Sequence, residues 1–535
     1  MELAAMTKLC TKTRRESYDV AIVGGGIAGM ATAARLQSAG LSTIVLEAHG
    51  QIGGCAGFFR ERGFSFDVGA TTLVDFERGG VGGELLDAIG MPPFASEVHP
   101  AYVAWLPDRK VVLHRDARAW DDERRAVLGR DARSLEFWRC VDRIAEAFWS
   151  VARRGVRFPI RTPLDALRAA AALGIERLPI ARYLNWTMGD CLREYGLRES
   201  RALVGLLSML VEDTVHANVD EAPLVNAALG ITLRHVGLMR ARGGMRGFWR
   251  AFGSHYQSMG GELRVGCRVV SISGALGRFL VHTRRGCIRA GQVVSALPAE
   301  LSASMAPPEV ASAIARYVQR DAADQGGAFV VFLGVPEREV AGQVHTHHQL
   351  LHDYDRPLGD GNNMFISVSA PGDTESAPLG HRAVMISTHC RLQDWEGLGE
   401  QEYSERKSDM TDRVVNLARR VYPELGSNAV VLQAGTPRTY ERFTHRPRGA
   451  VGGARLTLRN SNQRAIPHDI GVPGFWLAGD TTWPGLGTVA CVLGSRIVAG
   501  HAVREARRVS RTKRSIRDLA AHDGVLIDGE CAHAV

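Results

Sequence analysis

Residues 18–47 read YDVAIVGGGIAGMATAARLQSAGLSTIVLE, and the fold turns on this stretch. Tyr18 to Val23 is apolar and β-branched, the pattern of a strand buried on both faces. Gly24, Gly26 and Gly29 then set G-x-G-x-x-G in the turn, Met30 to Ser38 is rich in helix formers, and Gly40 stops the helix. Ser42 to Leu46 is a second buried strand ending on Glu47. The three glycines have different duties: a tight bend, close approach of backbone to a pyrophosphate, and close contact of helix with strand. Ile27 and Ala28 lie between them, where the helix N-terminus offers free N–H groups and a partial positive charge. Glu47 is placed to accept hydrogen bonds from a ribose, which suits an unphosphorylated ribose, as in FAD or NAD, over NADP. Strand, turn, helix, strand and acid at these offsets predict a dinucleotide site. A glycine turn in an ordinary βαβ unit is the plainer alternative.

A second glycine stretch follows at once. Gln51 to Gly57 reads QIGGCAG, and Gly53-Gly54 lets the backbone run close to a ligand before Phe64-Ser65-Phe66 alternates like a strand. Pro473 to Gly500, PGFWLAGDTTWPGLGTVACVLGSRIVAG, gives a strand to Ala478, its end at Gly479-Asp480, a loop to Gly487, and a helix from Thr488 to Ala499. Gly485-x-Gly487-x-x-Ala490 imitates the first motif, but no acid-tipped strand follows, so one nucleotide site is expected.

The 535 residues suffice for more than one domain, with a net charge of +8 and no basic run interleaved with stacking aromatics, so no nucleic acid is expected. Nine scattered cysteines without C-x-x-C suit a reducing compartment. Met1 to Ser17 has no apolar h-region, and no window is apolar enough to span a membrane. His345, His347, His348 and His352 lack the acids and spacing of a metal site, and none is expected.

The chain divides into a flexible tail over 1–17, nucleotide-domain segments over 18–80, 241–300 and 431–505, a helical region over 81–240, a substrate-domain sheet over 301–430, and a basic tail over 506–535. Trp149 to Tyr183 mixes seven arginines with Phe158, Ile160, Leu164, Ile175 and Leu178, which fits an amphipathic segment at a membrane interface. A solvated helix face over a core stripe is the bland alternative. The expected class is α/β, a Rossmann-type FAD-binding domain with a discontinuous substrate domain of mixed sheet and helices.

GGCAGFFRERGFSFDVGAT, TPRTYERFTHRPRGAVGG and GDTTWPGLG resemble the carotenoid desaturase and isomerase family of FAD-dependent, amine-oxidase-fold enzymes, closest to its carotene isomerase and 3,4-desaturase branch. The resemblance spans about Tyr18 to Val503. It departs at Cys55, where bacterial phytoene desaturases usually carry a basic residue. The resemblance implies FAD, with Gly24, Gly26, Gly29 and Glu47 on the ADP half and Gly53 and Gly54 along the flavin-side phosphate and ribityl. It implies that Val269 pairs its backbone with adenine and that Asp480, after Gly479, bonds the ribityl or pyrophosphate. The helix after Gly487, opening at Thr488, would point its N-terminus at the flavin C2 carbonyl.

The implied activity is oxidation of a long apolar isoprenoid polyene, with hydride passing to flavin N5 and no catalytic side chain identifiable. Oxygen or a membrane quinone would accept the electrons, and the protein would sit in the cytoplasm, peripherally on the inner face of the membrane. Redox-neutral cis–trans isomerisation, polyene saturation, amine oxidation and non-catalytic carotenoid carriage stay open. The oligomeric state is not legible.

Overall fold

The computed structural model describes the backbone of residues 17–522 and side chains to residue 512. The tail expected over 1–16 and the end of the basic tail, 523–535, lie outside the described residues.

The strand β1 (Ser17–Val23), the helix α1 (Ile27–Ser38) and the strand β2 (Thr43–Leu46) form the expected unit. The helix begins within the glycine motif, three residues ahead of the Met30 expected from helix propensity, because Gly26 holds extended backbone as its N-cap. β1 is the centre of a seven-stranded sheet, pairing in parallel with β2 and with Gly286–Ser295. Phe475–Leu477 adds in parallel to the far half of Gly286–Ser295, matching Val293 with Phe475. The register sets the tips of β1, β2 and Phe475–Leu477 at one edge, so their following loops converge. Val20, Ala21 and Ile22 are fully buried, as a parallel strand covered on both faces requires.

A second sheet forms the opposite wall, in the order Val431–Gly435, Gly327–Pro336, His381–Cys390, Asn363–Val368, His347–Leu351, Ala101–Trp105, Lys110–His114. Its last two strands come from the region over 81–240 that was expected to be helical. They pair antiparallel across a short turn, with Tyr102 opposite Leu113, Val103 opposite Val112 and Trp105 opposite Lys110. Local β-branched and aromatic content outweighs the arginine- and leucine-rich surroundings here, because these side chains fill the cores on either face of the wall sheet.

Among the described residues, no helix is long and apolar enough to cross a membrane. The last helix, Thr488–His522, runs well past the expected Ala499 into the basic tail.

Candidate active site

The loops after β1, β2 and Phe475–Leu477 open on one cavity of about 730 Å³ that extends to the wall sheet. At its nucleotide end Gly24 has φ +104°, a conformation L side chains rarely adopt, and its N–H donates to Leu46 O at 2.9 Å. A Cβ on Gly29 would lie 2.0 Å from Gly24 O, so this glycine is set by helix-to-strand contact. A Cβ on Gly26 would meet nothing within 4 Å. The α1 N-terminus also has no capping side-chain bond and no first-turn acid. Gly26, Ile27 and Ala28 line the cavity, so this end fits a pyrophosphate.

Glu47 is held by two backbone donors. Gly25 N–H reaches Oε2 at 2.6 Å and His49 N–H reaches Oε1 at 2.7 Å. Burial pushes its pKa up, and these donors oppose that shift. Each oxygen keeps a lone pair for a ribose hydroxyl. Gly25 and His49, both absent from the sequence-based set, therefore orient the acid.

Gly53 and Gly54 bring the second loop against the first. Gly53 N–H donates to Gly25 O at 2.9 Å, and a Cβ on Gly54 would come 3.3 Å from Gly26 Cα. Val269, at the start of its strand, and Gly479 also line the cavity. Asp480 accepts from Arg446 Nη2 at 2.5 Å, so an arginine missed in the sequence shares the position expected to hold the ribityl or pyrophosphate. Gly487, with φ +101°, precedes Thr488, whose helix has no first-turn acid and opens on the same cavity. Cys55 lies here as well, and burial pushes its thiol pKa up.

The wall opposite carries polar side chains that the sequence did not announce. Glu212, Asp213 and His216 come from the helix Arg201–Val215 and its C-cap, and Gln349, Asn363 and His389 come from three strands. All six line the cavity. His389 Nδ1 lies 2.7 Å from Glu212 Oε1, and Asn363 Nδ2 donates to Glu212 Oε2 at 2.9 Å. Gln349 Nε2 donates to Asp213 at 2.9 Å, while its oxygen accepts from Arg234 at 3.1 Å. The available signal was the acid pair with a histidine four residues after Glu212, at the end of a largely apolar helix.

Of the four clustered histidines, His347 and His348 have structural partners. His347 bonds Ser367 Oγ at 3.0 Å, and His348 accepts from Trp105 Nε1 at 3.2 Å and meets Tyr422 OH at 2.9 Å.

Two glycine loops, an acid-tipped strand and a second helix N-terminus around one cavity define a flavoprotein oxidoreductase. Residues 27–501 match the family model for flavin containing amine oxidoreductases, and the chain belongs to that family. It is an FAD-dependent enzyme. It is 24% identical to prolycopene isomerase from Daucus carota over 510 residues, covering 92% of this chain and 80% of that protein. It is 20% identical to 4,4'-diapophytoene desaturase (4,4'-diaponeurosporene-forming) from Staphylococcus aureus (strain COL), covering 91% of this chain and 99% of the relative. A redesigned putrescine oxidase shares the fold with TM-score 0.62 and 14% identity, over 91% of this chain and 99% of its own. The enzyme is thus an oxidoreductase related to carotenoid isomerases and desaturases.

Proposed function

We propose that the protein oxidises a long apolar isoprenoid polyene, introducing a carbon–carbon double bond. The observation that carries this reading is the continuous cavity, which joins the dinucleotide loops to a wall where Phe59, Val330, Phe332, Met364 and Phe365 supply apolar surface. Bound FAD supplies hydride acceptance at N5. The chain's own part is to hold the cofactor through Gly24, Gly26, Gly53, Gly54, Glu47 and Val269, and to orient a polyene with water excluded. Redox-neutral cis–trans isomerisation is a second reading, favoured by the similarity to prolycopene isomerase over most of the chain. Incubating the holoenzyme with 4,4'-diapophytoene or prolycopene in liposomes separates them by mass. Loss of two hydrogens supports desaturation, unchanged mass with shifted retention supports isomerisation, and no change with either polyene sinks both.

The same reading includes docking on a membrane surface, since such a substrate dissolves in the bilayer. The helix Pro163–Leu173 supports it by being inside out. Asp165 is buried and pairs with Arg157 at 2.8 Å, while Leu164 and Leu167 are 52% and 66% exposed. Ile175 and Leu178 continue the patch at 86% and 42%, beside exposed Arg161, Arg168 and Arg182. Leucines outside and a carboxylate inside reverse the usual arrangement of a solvated helix. Phe158 and Ile160, grouped with these residues in the sequence, are half-buried, and Phe158 packs on Trp483. Oxygen or a quinone would take the electrons onward.

A further inference from the structure

A hydrocarbon cavity has no evident use for a buried acid–base cluster, yet one lies on its wall. His216 is the member with spare capacity. Neither ring nitrogen has a hydrogen-bond partner among the described residues, and Nδ1 is buried without one. The imidazole stands 4.5 Å, centroid to centroid, from that of His389. Its Cε1 edge faces Gly452, where a Cβ would come 2.3 Å from Cε1 and 3.0 Å from Nε2. Gly452 adjoins Gly453, where a Cβ would lie 2.5 Å from Asp480 O, so His216 packs against the loop that meets the expected flavin end. The residue has φ +57°, a sparsely populated conformation at a helix end where glycine is common.

We propose that His216 is the proton acceptor of the desaturation, with the His389–Glu212 ion pair as its positioning partner. The inference rests on the polyene-oxidation reading above. In the step, one substrate C–H bond breaks with its electron pair passing as hydride to oxidised flavin, the two-electron oxidant. The adjacent C–H bond breaks with its pair forming the new C=C bond, and that proton goes to the His216 imidazole. His216 later releases the proton to water.

The neighbours suit this division of labour. Burial and the positive His389 hold His216 down to about 3, so it enters the reaction neutral. A weak base suffices, because a carbon losing hydride makes its neighbouring C–H strongly acidic. Burial lowers the pKa of His389, but the Glu212 carboxylate more than offsets this and raises it, so the pair favours the protonated His389 imidazole. The other charged groups facing the cluster are Asp213, on the same helix, and Arg234, joined through Gln349.

The test uses holoenzyme labelled with ¹³Cε1-histidine, and 4,4'-diapophytoene in phosphatidylcholine vesicles. The wild-type His216 signal should remain that of neutral imidazole from pH 8 to pH 5. A His216 signal already protonated at pH 7 overturns the proposal without any turnover measurement. In anaerobic single turnovers, His216→Gln should slow flavin bleaching about 100-fold with polyene affinity unchanged. His216→Ala should recover part of its rate with added imidazole. Wild-type bleaching with an equally fast His216→Gln overturns this proposal alone. A wild-type enzyme that neither bleaches nor converts either polyene removes the polyene reading and this proposal with it.

Discussion

The two ends of the cavity are built in opposite ways. At the glycine end, small residues leave room beside a helix N-terminus that no side chain caps. At the wall, polar and charged side chains from a helix and three strands fill space, and all but His216 pair with one another. The first end depends on what is absent from each residue, the second on what distant residues bring. Substitutions should therefore act differently: at the glycines through ligand space or backbone collision, at the wall through protonation and stranded polar groups.

The largest expected effect lies within the glycine motif itself. A Cβ at Gly26 meets no protein atom within 4 Å, so Gly26→Val should fold yet lose FAD, with at least about a hundredfold weaker binding. Gly29→Val collides with the Gly24 backbone and should reduce soluble, folded protein as well. Flavin absorbance and circular dichroism together read the two outcomes. A Gly26→Val protein that retains full FAD would remove the pyrophosphate from this loop.

At the wall, Glu212→Gln should destabilise by about 2 kcal/mol at pH 6. That is less than the ~3–5 kcal/mol of a stranded charge, because buried His389 can shed its proton. The signs follow from the pKa directions. The raised His389 value makes its stabilisation full below pH 6.5 and lost as pH rises through the raised value. The lowered Glu212 value makes its contribution full above 4.5 and lost as pH falls through the lowered value. The difference between wild type and Glu212→Gln, measured by urea unfolding, should thus shrink at alkaline pH. A constant difference would show that the pair does not ionise as described.

Acid should weaken the wild type through its buried neutral histidines. His216 is held near 3, and His348 and His468 near 4, chiefly by burial. The unfolded chain binds these protons from about pH 6.5, so each costs ~1.4 kcal/mol per pH unit below that, until its folded value is reached. Stability that stays flat from pH 6.5 to 5 would contradict this account.

The smallest change in stability belongs to the exposed patch. Replacing Leu164, Leu167, Ile175 and Leu178 with serine should alter stability by only about 0.5 kcal/mol per site. The same variant should lose binding to neutral phosphatidylcholine vesicles. If it sediments with vesicles like wild type, the patch does not dock on membranes.

The backbone of the glycine end could be read from the residues alone. Gly24 to Gly29 and Glu47 fall within one βαβ unit, where spacing fixes the backbone path. Gly53 and Gly54 follow closely enough to be read with it. The family resemblance and the mixed second sheet were legible in the same way. The chain order did not show that Ala101–Trp105 and Lys110–His114 join that sheet, because their pairing with His347–Leu351 is long-range. Nor did it show that Leu164, Leu167, Ile175 and Leu178 of Trp149 to Tyr183 face outward while Asp165 is buried. The wall cluster was the least legible part. Asn363 and Glu212 are 151 residues apart, and each looks like an ordinary polar residue in its own segment. Their chemistry exists only once the helix and strands are packed, because burial brings the charges together and removes the water that would otherwise separate them.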